Sequence, residues 1–286
     1  MAKSGSIQAI TTTVSGANPA VSLVGSNGIE VQQDADTLRN FYVETAHLSL
    51  TVDKKEVYAG ECFTITLAFN LRDDNPLPMQ FYEPGLQSTV QAVRLNTSDG
   101  MIIDNLLTTI EGKEILIDNR NYTKYTLLQE AFCPVDTHPI HFPAVKLKML
   151  ILKPEDKTVD KIVEFNSKPL AVNVMSLPVG NVTLYNRHKM VGTFMMKEEL
   201  LEDTVVVGSA TYYTVKVLGD GLIFPVEPGS ENTPIKIDLV DIHDNDSIIN
   251  DVLHSEKTFT YRLIPLVEGE HDLDTLIHFS FFNPRT

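Results

Sequence analysis

The chain has no tryptophan and only two cysteines, Cys62 and Cys133, in 286 residues. Two cysteines cannot make the multi-bridge framework of a small secreted domain or a four-thiolate zinc site. Both sit in apolar, strand-like contexts, where buried free thiols are the expectation. A bridge between the faces of a β-sandwich stays open as the alternative, although the tryptophan that packs on such a bridge in immunoglobulin domains is missing. Basic charge is also scarce: 23 Lys and Arg against 38 Asp and Glu give a net charge of −15. That balance argues against nucleic acid and against an anionic membrane surface, and leaves solubility or a basic partner as its use. No apolar run approaches the ~20 residues of a membrane span. The N-terminus, MAKSGSIQAITTTVSGANPAV, has no unbroken apolar core of a signal peptide. No window of 11 or more residues shows a clean i, i+3, i+4, i+7 apolar stripe either, so helix content is expected to be very low.

What the chain does have is period-two patterning. Residues 52–71 read VDKKEVYAGECFTITLAFNL. A tight turn at Tyr58, Ala59, Gly60 and Glu61 leads into Cys62, Thr64, Thr66 and Ala68 alternating with Phe63, Ile65, Leu67 and Phe69. Alternation rich in β-branched and aromatic residues marks a strand with one buried face. Further strands are expected at 89–95, 101–109, 114–117, 122–133, 145–152 and 167–175. Charged or polar loops are expected at 153–160 and 241–246.

The unit recurs. EDTVVVGSATYYTVKV at 202–217 repeats the opening stretch, with Gly208 in the place of Gly60. TFTYRLIPLVEG at 258–269 repeats 125–136, with Pro265 for Pro134 and Ile264 for Cys133. A strand–turn–strand unit written twice predicts an all-β chain of two tandem immunoglobulin-like β-sandwich domains. The expected division is a flexible tail at 1–40, a first domain at 41–176, a linker at 177–190 and a second domain at 191–286.

The order of these motifs resembles the BatD family, the Bacteroides aerotolerance or oxygen-tolerance proteins. The resemblance rests on the Val-Asp-Lys opening, Val-Tyr-x-Gly-Glu, a Tyr-rich strand ending in apolar-Pro, Ile-x-Phe-Pro at 140–143, and Ser-x-Pro-Leu-x-Val-x-Val at 167–174. Val-Gly-x-Phe at 191–194 and Phe-Ser-Phe-Phe-Asn-Pro at 279–284 complete it. It covers about 41–284. It implies a non-enzymatic, periplasmic, membrane-anchored protein of which this chain is an extracytoplasmic fragment without signal or anchor. It also implies a role in oxygen or stress tolerance, with partners carrying von Willebrand A domains and tetratricopeptide repeats. It supplies no catalytic residues. A carbohydrate-binding or adhesin module is the alternative, weakened by the missing tryptophan.

Chemistry-bearing residues are sparse. Asp241, Asp244, Asn245 and Asp246 offer hard-cation ligands but lack the calcium-loop spacing. His138 and His141, with Asp136, lack the further ligands of a closed zinc site; His271 and His278 are isolated. No nucleophile elbow is present. Gly219, Asp220 and Gly221 have no following helix to make a phosphate cradle. No catalytic, cofactor or metal site is therefore expected. The docking candidate is the stretch PLPMQFYEP, read either as a loop folded back over one end of the sandwich or as an exposed loop that presents Pro78, Met79, Phe81 and Tyr82 to a partner.

Overall fold

The computed structural model describes residues 23–24, 30–31, 45–96, 100–104, 109–178, 190–225, 233–273, 277 and 279–286. Leu23–Val24 (β1) and Glu30–Val31 (β2) pair antiparallel. The rest of the expected tail, and residues 179–189 of the expected linker, lie outside the described residues.

The strands of the first half are Ala46–Val52 (β3), Glu56–Tyr58 (β4), Phe63–Arg72 (β5), Met79–Phe81 (β6), Gly100–Asp104 (β7), Gly112–Ile117 (β8), Arg120–Pro134 (β9), Ile140–Phe142 (β10), Lys146–Leu152 (β11), Val159–Asn166 (β12) and Leu170–Met175 (β13). They make one five-stranded sheet, β3-β5-β9-β7 with β8 also on β9, and two three-stranded sheets, β12-β11-β6 and β10-β13-β4. The alternation read along β5 sets the core. Phe63, Ile65, Leu67 and Phe69 face Leu147, Met149, Ile151, Phe165 and Val172 from the smaller sheets. The Phe69 ring meets Phe165 edge-on at 5.0 Å and Phe81 at 6.1 Å. The outward set of β5, Cys62, Thr64, Thr66 and Ala68, is also buried.

One helix breaks the all-strand expectation. Glu83–Arg94 (α1) runs through the stretch expected to hold a strand at 89–95. Its start is stabilised by Pro84 in the first turn and an acidic Glu83, and its end by Arg94, which suits the dipole. Thr89 and Val93 are its buried residues. Arg94 donates through Nε to the buried Glu130 Oε1 at 2.6 Å, tying the helix to β9. Two other local expectations are corrected. The loop expected at 153–160 gives way to β12 from Val159, whose inner residue Phe165 is buried. The loop expected at 241–246 is strand as far as Asp244.

The second half repeats the large sheet. Phe194–Leu200 (β14), Thr211–Gly219 (β15), Ile235–Asp244 (β16), Ser247–Ile249 (β17) and Val252–Pro265 (β18) take the order β14-β15-β18-β16, with β17 also on β18. This is the order of β3, β5, β9, β7 and β8. The details repeat too. Gly60 has φ 87 and its N–H donates to the Pro134 carbonyl at 2.7 Å. Gly208 has φ 84 and donates to the Pro265 carbonyl at 2.9 Å. Both hairpins turn on two left-handed polar residues: Asp118 and Asn119 between β8 and β9, Asn250 and Asp251 between β17 and β18. Such residues tolerate positive φ, and the mirror-image turn matches strand twist.

The cover differs between the copies. The inner face of the second sheet carries Tyr213, Val215, Val217, Phe259, Tyr261 and Leu263. Met190, Ile223, Ile277 and Phe279 pack on it, and none of these lies in a strand. The chain is thus all-β with one short helix among the described residues. Among the described residues the second sheet is covered by irregular segments rather than by a second layer of strands.

Candidate functional site

The two cysteines are joined, with the sulfurs 2.02 Å apart, which corrects the expectation of free thiols. The bridge does not cross a sandwich. Phe63 lies opposite Phe132 in the β5–β9 ladder, so Cys62 lies opposite Cys133 on the adjacent strand of the same sheet. Their Cα atoms are 4.1 Å apart, close to the about 4.5 Å of a cross-strand pair without ladder hydrogen bonds. The two residues are 71 apart in sequence, so only the strand register reveals the pairing.

The second half is seated on this bridge. Leu253, at the start of β18, packs with Ile248 and Leu222 against Cys62, Ala131 and Cys133. Beside it, Asp251 accepts hydrogen bonds from Thr66 Oγ1 at 2.9 Å and Gln129 Nε2 at 2.8 Å. Lys124 Nζ stands 3.8 Å from its other carboxylate oxygen. The left-handed turn aims Asp251 at a face of β5 and β9 that carries Thr66 and Gln129.

The glycine turn of the first copy is covered from the same side. Val191 bridges both Glu61 and Phe282, and the Phe282 ring meets Tyr58 edge-on at 5.1 Å. Glu61 is held by Lys54 Nζ at 3.0 Å and by the Tyr58 N–H at 3.1 Å. On the other flank, β13 runs parallel to β4, with Val174 opposite Val57, and the Ala59 N–H donates to the Met175 carbonyl at 2.9 Å. Val57 and Ala59 are therefore buried.

The equivalent turn of the second copy is open. Val206 is 75% exposed, and Val207, which stands where Ala59 does, is 42% exposed. Leu201, Leu266 and Val267 are exposed around them. A side chain added at Gly208 would meet nothing within 4 Å. No strand among the described residues pairs with 204–206, the counterpart of β4. This apolar tip was missed in sequence. The clue was TVVVG, three consecutive valines where the first copy reads EVYAG.

The expected docking loop is not a loop. Met79 and Phe81 belong to β6, paired with β11, and the Pro78 carbonyl accepts from the Leu152 N–H at 2.9 Å. Phe81 is buried, edge-on to Tyr125 at 5.9 Å, and Tyr82 caps α1. The Phe81 ring serves the core because the strand turns it inward, while Pro78, Met79 and Tyr82 are half-buried.

The ligand candidates are dispersed. His138 and Asp136 pair with each other at 2.9 Å on the surface, and the His138 N–H and ring hold the Asp136 carboxyl below the usual range. His141 is on β10, where it borders an open depression with Lys55, Glu56 and Asn173. Asp241 and Asp244 lie on β16, and Asp244 faces Lys257. His271 caps the Val267 carbonyl, and His278 lies outside the described residues. Asp220 is a turn fastener, accepting from the Thr193 N–H at 2.6 Å and Arg285 at 3.0 Å. No three His, Cys, Asp or Glu residues converge as metal ligands among the described residues, and no described helix is long and apolar enough to cross a membrane.

No protein-family model matches the chain, and no curated protein matches it.

Proposed function

We propose that the chain is a non-enzymatic interaction scaffold of BatD type, its two sheet units acting as tandem immunoglobulin-like domains at 41–176 and 191–286. The full protein would be anchored in the membrane and present these domains in the periplasm to von Willebrand A-domain and tetratricopeptide-repeat partners. The observation that carries this reading is the duplicated sheet with unequal cover: one copy has its turn buried under its neighbour, and the other offers an exposed apolar turn. The cross-strand disulfide supports the placement, since such bonds persist in oxidising compartments. The resemblance in motif order supports the family and the partners. The test is retention of an A-domain protein encoded beside the gene on the immobilised chain. Retention at micromolar concentration, lost on Val206→Asp, is expected; no retention at that concentration refutes the partner assignment.

A further inference from the structure

The register of the two sheets lets each inner-face position be compared with its counterpart. On β3, Leu48 pairs with Phe69, nine residues after Gly60; on β14, Met196 pairs with Val217, nine residues after Gly208. Leu48 is 4% exposed and Met196 is 42% exposed. By the same register Leu50 is replaced by Glu198 and Val52 by Leu200, both exposed. In the first copy this edge is covered by the smaller sheets, and the strip from Val57 to Ala59 by β13. In the second copy Met196, Leu200, Val206 and Val207 are exposed, with Glu198 between Met196 and Leu200 on the same row, and no strand among the described residues covers them.

Charge changes sign along this edge. The first copy carries Lys54 and Lys55 just before its glycine turn, and the second carries Glu202 and Asp203 there, with Glu198 and Glu199 on β14. Carboxylates within and beside these exposed apolar residues favour an occupant that is apolar at alternate positions and basic at its flank. In the first copy the strand in this place is β13, where Val172 and Val174 face inward and Lys168 stands just upstream. No strand among the described residues pairs with the backbone of 204–206, which supplies the ladder on which such a strand would zip.

We propose that the open edge of the second sheet is a strand-acceptor site. It takes an extended, basic-flanked segment of a partner protein with apolar residues at every second position, in parallel pairing with 204–206. This deepens the scaffold reading by naming the chemistry of the bound segment, and rests on it only for the statement that the partner is a protein.

The probe is a synthetic peptide of the chain's own sequence 167–175, SKPLAVNVM, added to the full chain and followed by fluorescence polarisation and amide hydrogen exchange. Saturable binding is expected, with added protection at 203–207. Met196→Lys and Glu198→Lys, both at exposed positions, should each weaken binding about tenfold or more. A peptide with aspartate at both valine positions should not bind. Absence of binding at millimolar peptide, with circular dichroism unchanged, overturns the proposal; so does binding that protects other segments and ignores both substitutions. A stable dimer in light scattering that Met196→Lys dissolves and the peptide cannot also overturns it, because the edge would then be filled by a second copy. The A-domain retention assay uses a different ligand, so it can fail while peptide binding succeeds, and the reverse.

Discussion

Replacing both cysteines by alanine should destabilise the first half by about 3–4 kcal/mol. Cys62 and Cys133 are 71 residues apart, and closing a loop of that length removes about 15 cal/mol/K of unfolded-chain entropy, about 4 kcal/mol at 25 °C. Residual structure in the denatured chain trims that figure. The bridge is 1% exposed at both ends and is covered by Leu253 of the second half, so its loss should also loosen the seam between the sheets. The assay is guanidinium unfolding of oxidised chain and Cys62→Ala/Cys133→Ala, followed by circular dichroism and by tyrosine emission, which no tryptophan obscures. Thiol titration in denaturant should find no free thiol in the oxidised chain. Under native conditions a phosphine should reduce the bridge only as fast as the sheet opens. A stability loss below about 1 kcal/mol would refute the loop-entropy argument, and two titratable thiols in protein purified without reductant would refute the pairing itself.

Other expected outcomes test particular contacts. Asp251→Ala removes the acceptor for Thr66 and Gln129; a cost of about 1 kcal/mol is expected, since the carboxylate is half exposed. It should appear as separated unfolding transitions of the two halves in urea. Arg94→Ala strips the guanidinium from the buried Glu130 and should cost about 2 kcal/mol, less than a fully buried pair because the arginine is partly exposed; thermal melts would register it. His47 is pushed below its usual value of 6.5, first by burial and then by Lys168. The unfolded chain therefore takes up the proton first, and stability should fall as pH drops below about 6.5, levelling once the folded form also protonates. His47→Gln should flatten that slope in unfolding titrations at successive pH values.

The alternation along β5 and β15, the glycine turns and the proline that ends each long strand follow from local chemistry, so the sheet and its duplication are legible residue by residue. Leu86, Val90 and Val93 stand at helical spacing behind Pro84, but that stripe is short and the β-branched run TVQAV favours a strand on propensity, so α1 was not legible from local pattern. Register and docking are decided elsewhere. Nothing within 71 residues of chain tells Cys62 that Cys133 will stand opposite; that depends on which residues of β5 and β9 share a rung. Phe81 is an interior ring and Val206 an exposed side chain for the same reason. Hydrophobicity states what a side chain prefers, whereas burial depends on which neighbouring element arrives to cover it, and that is settled only when distant strands pack.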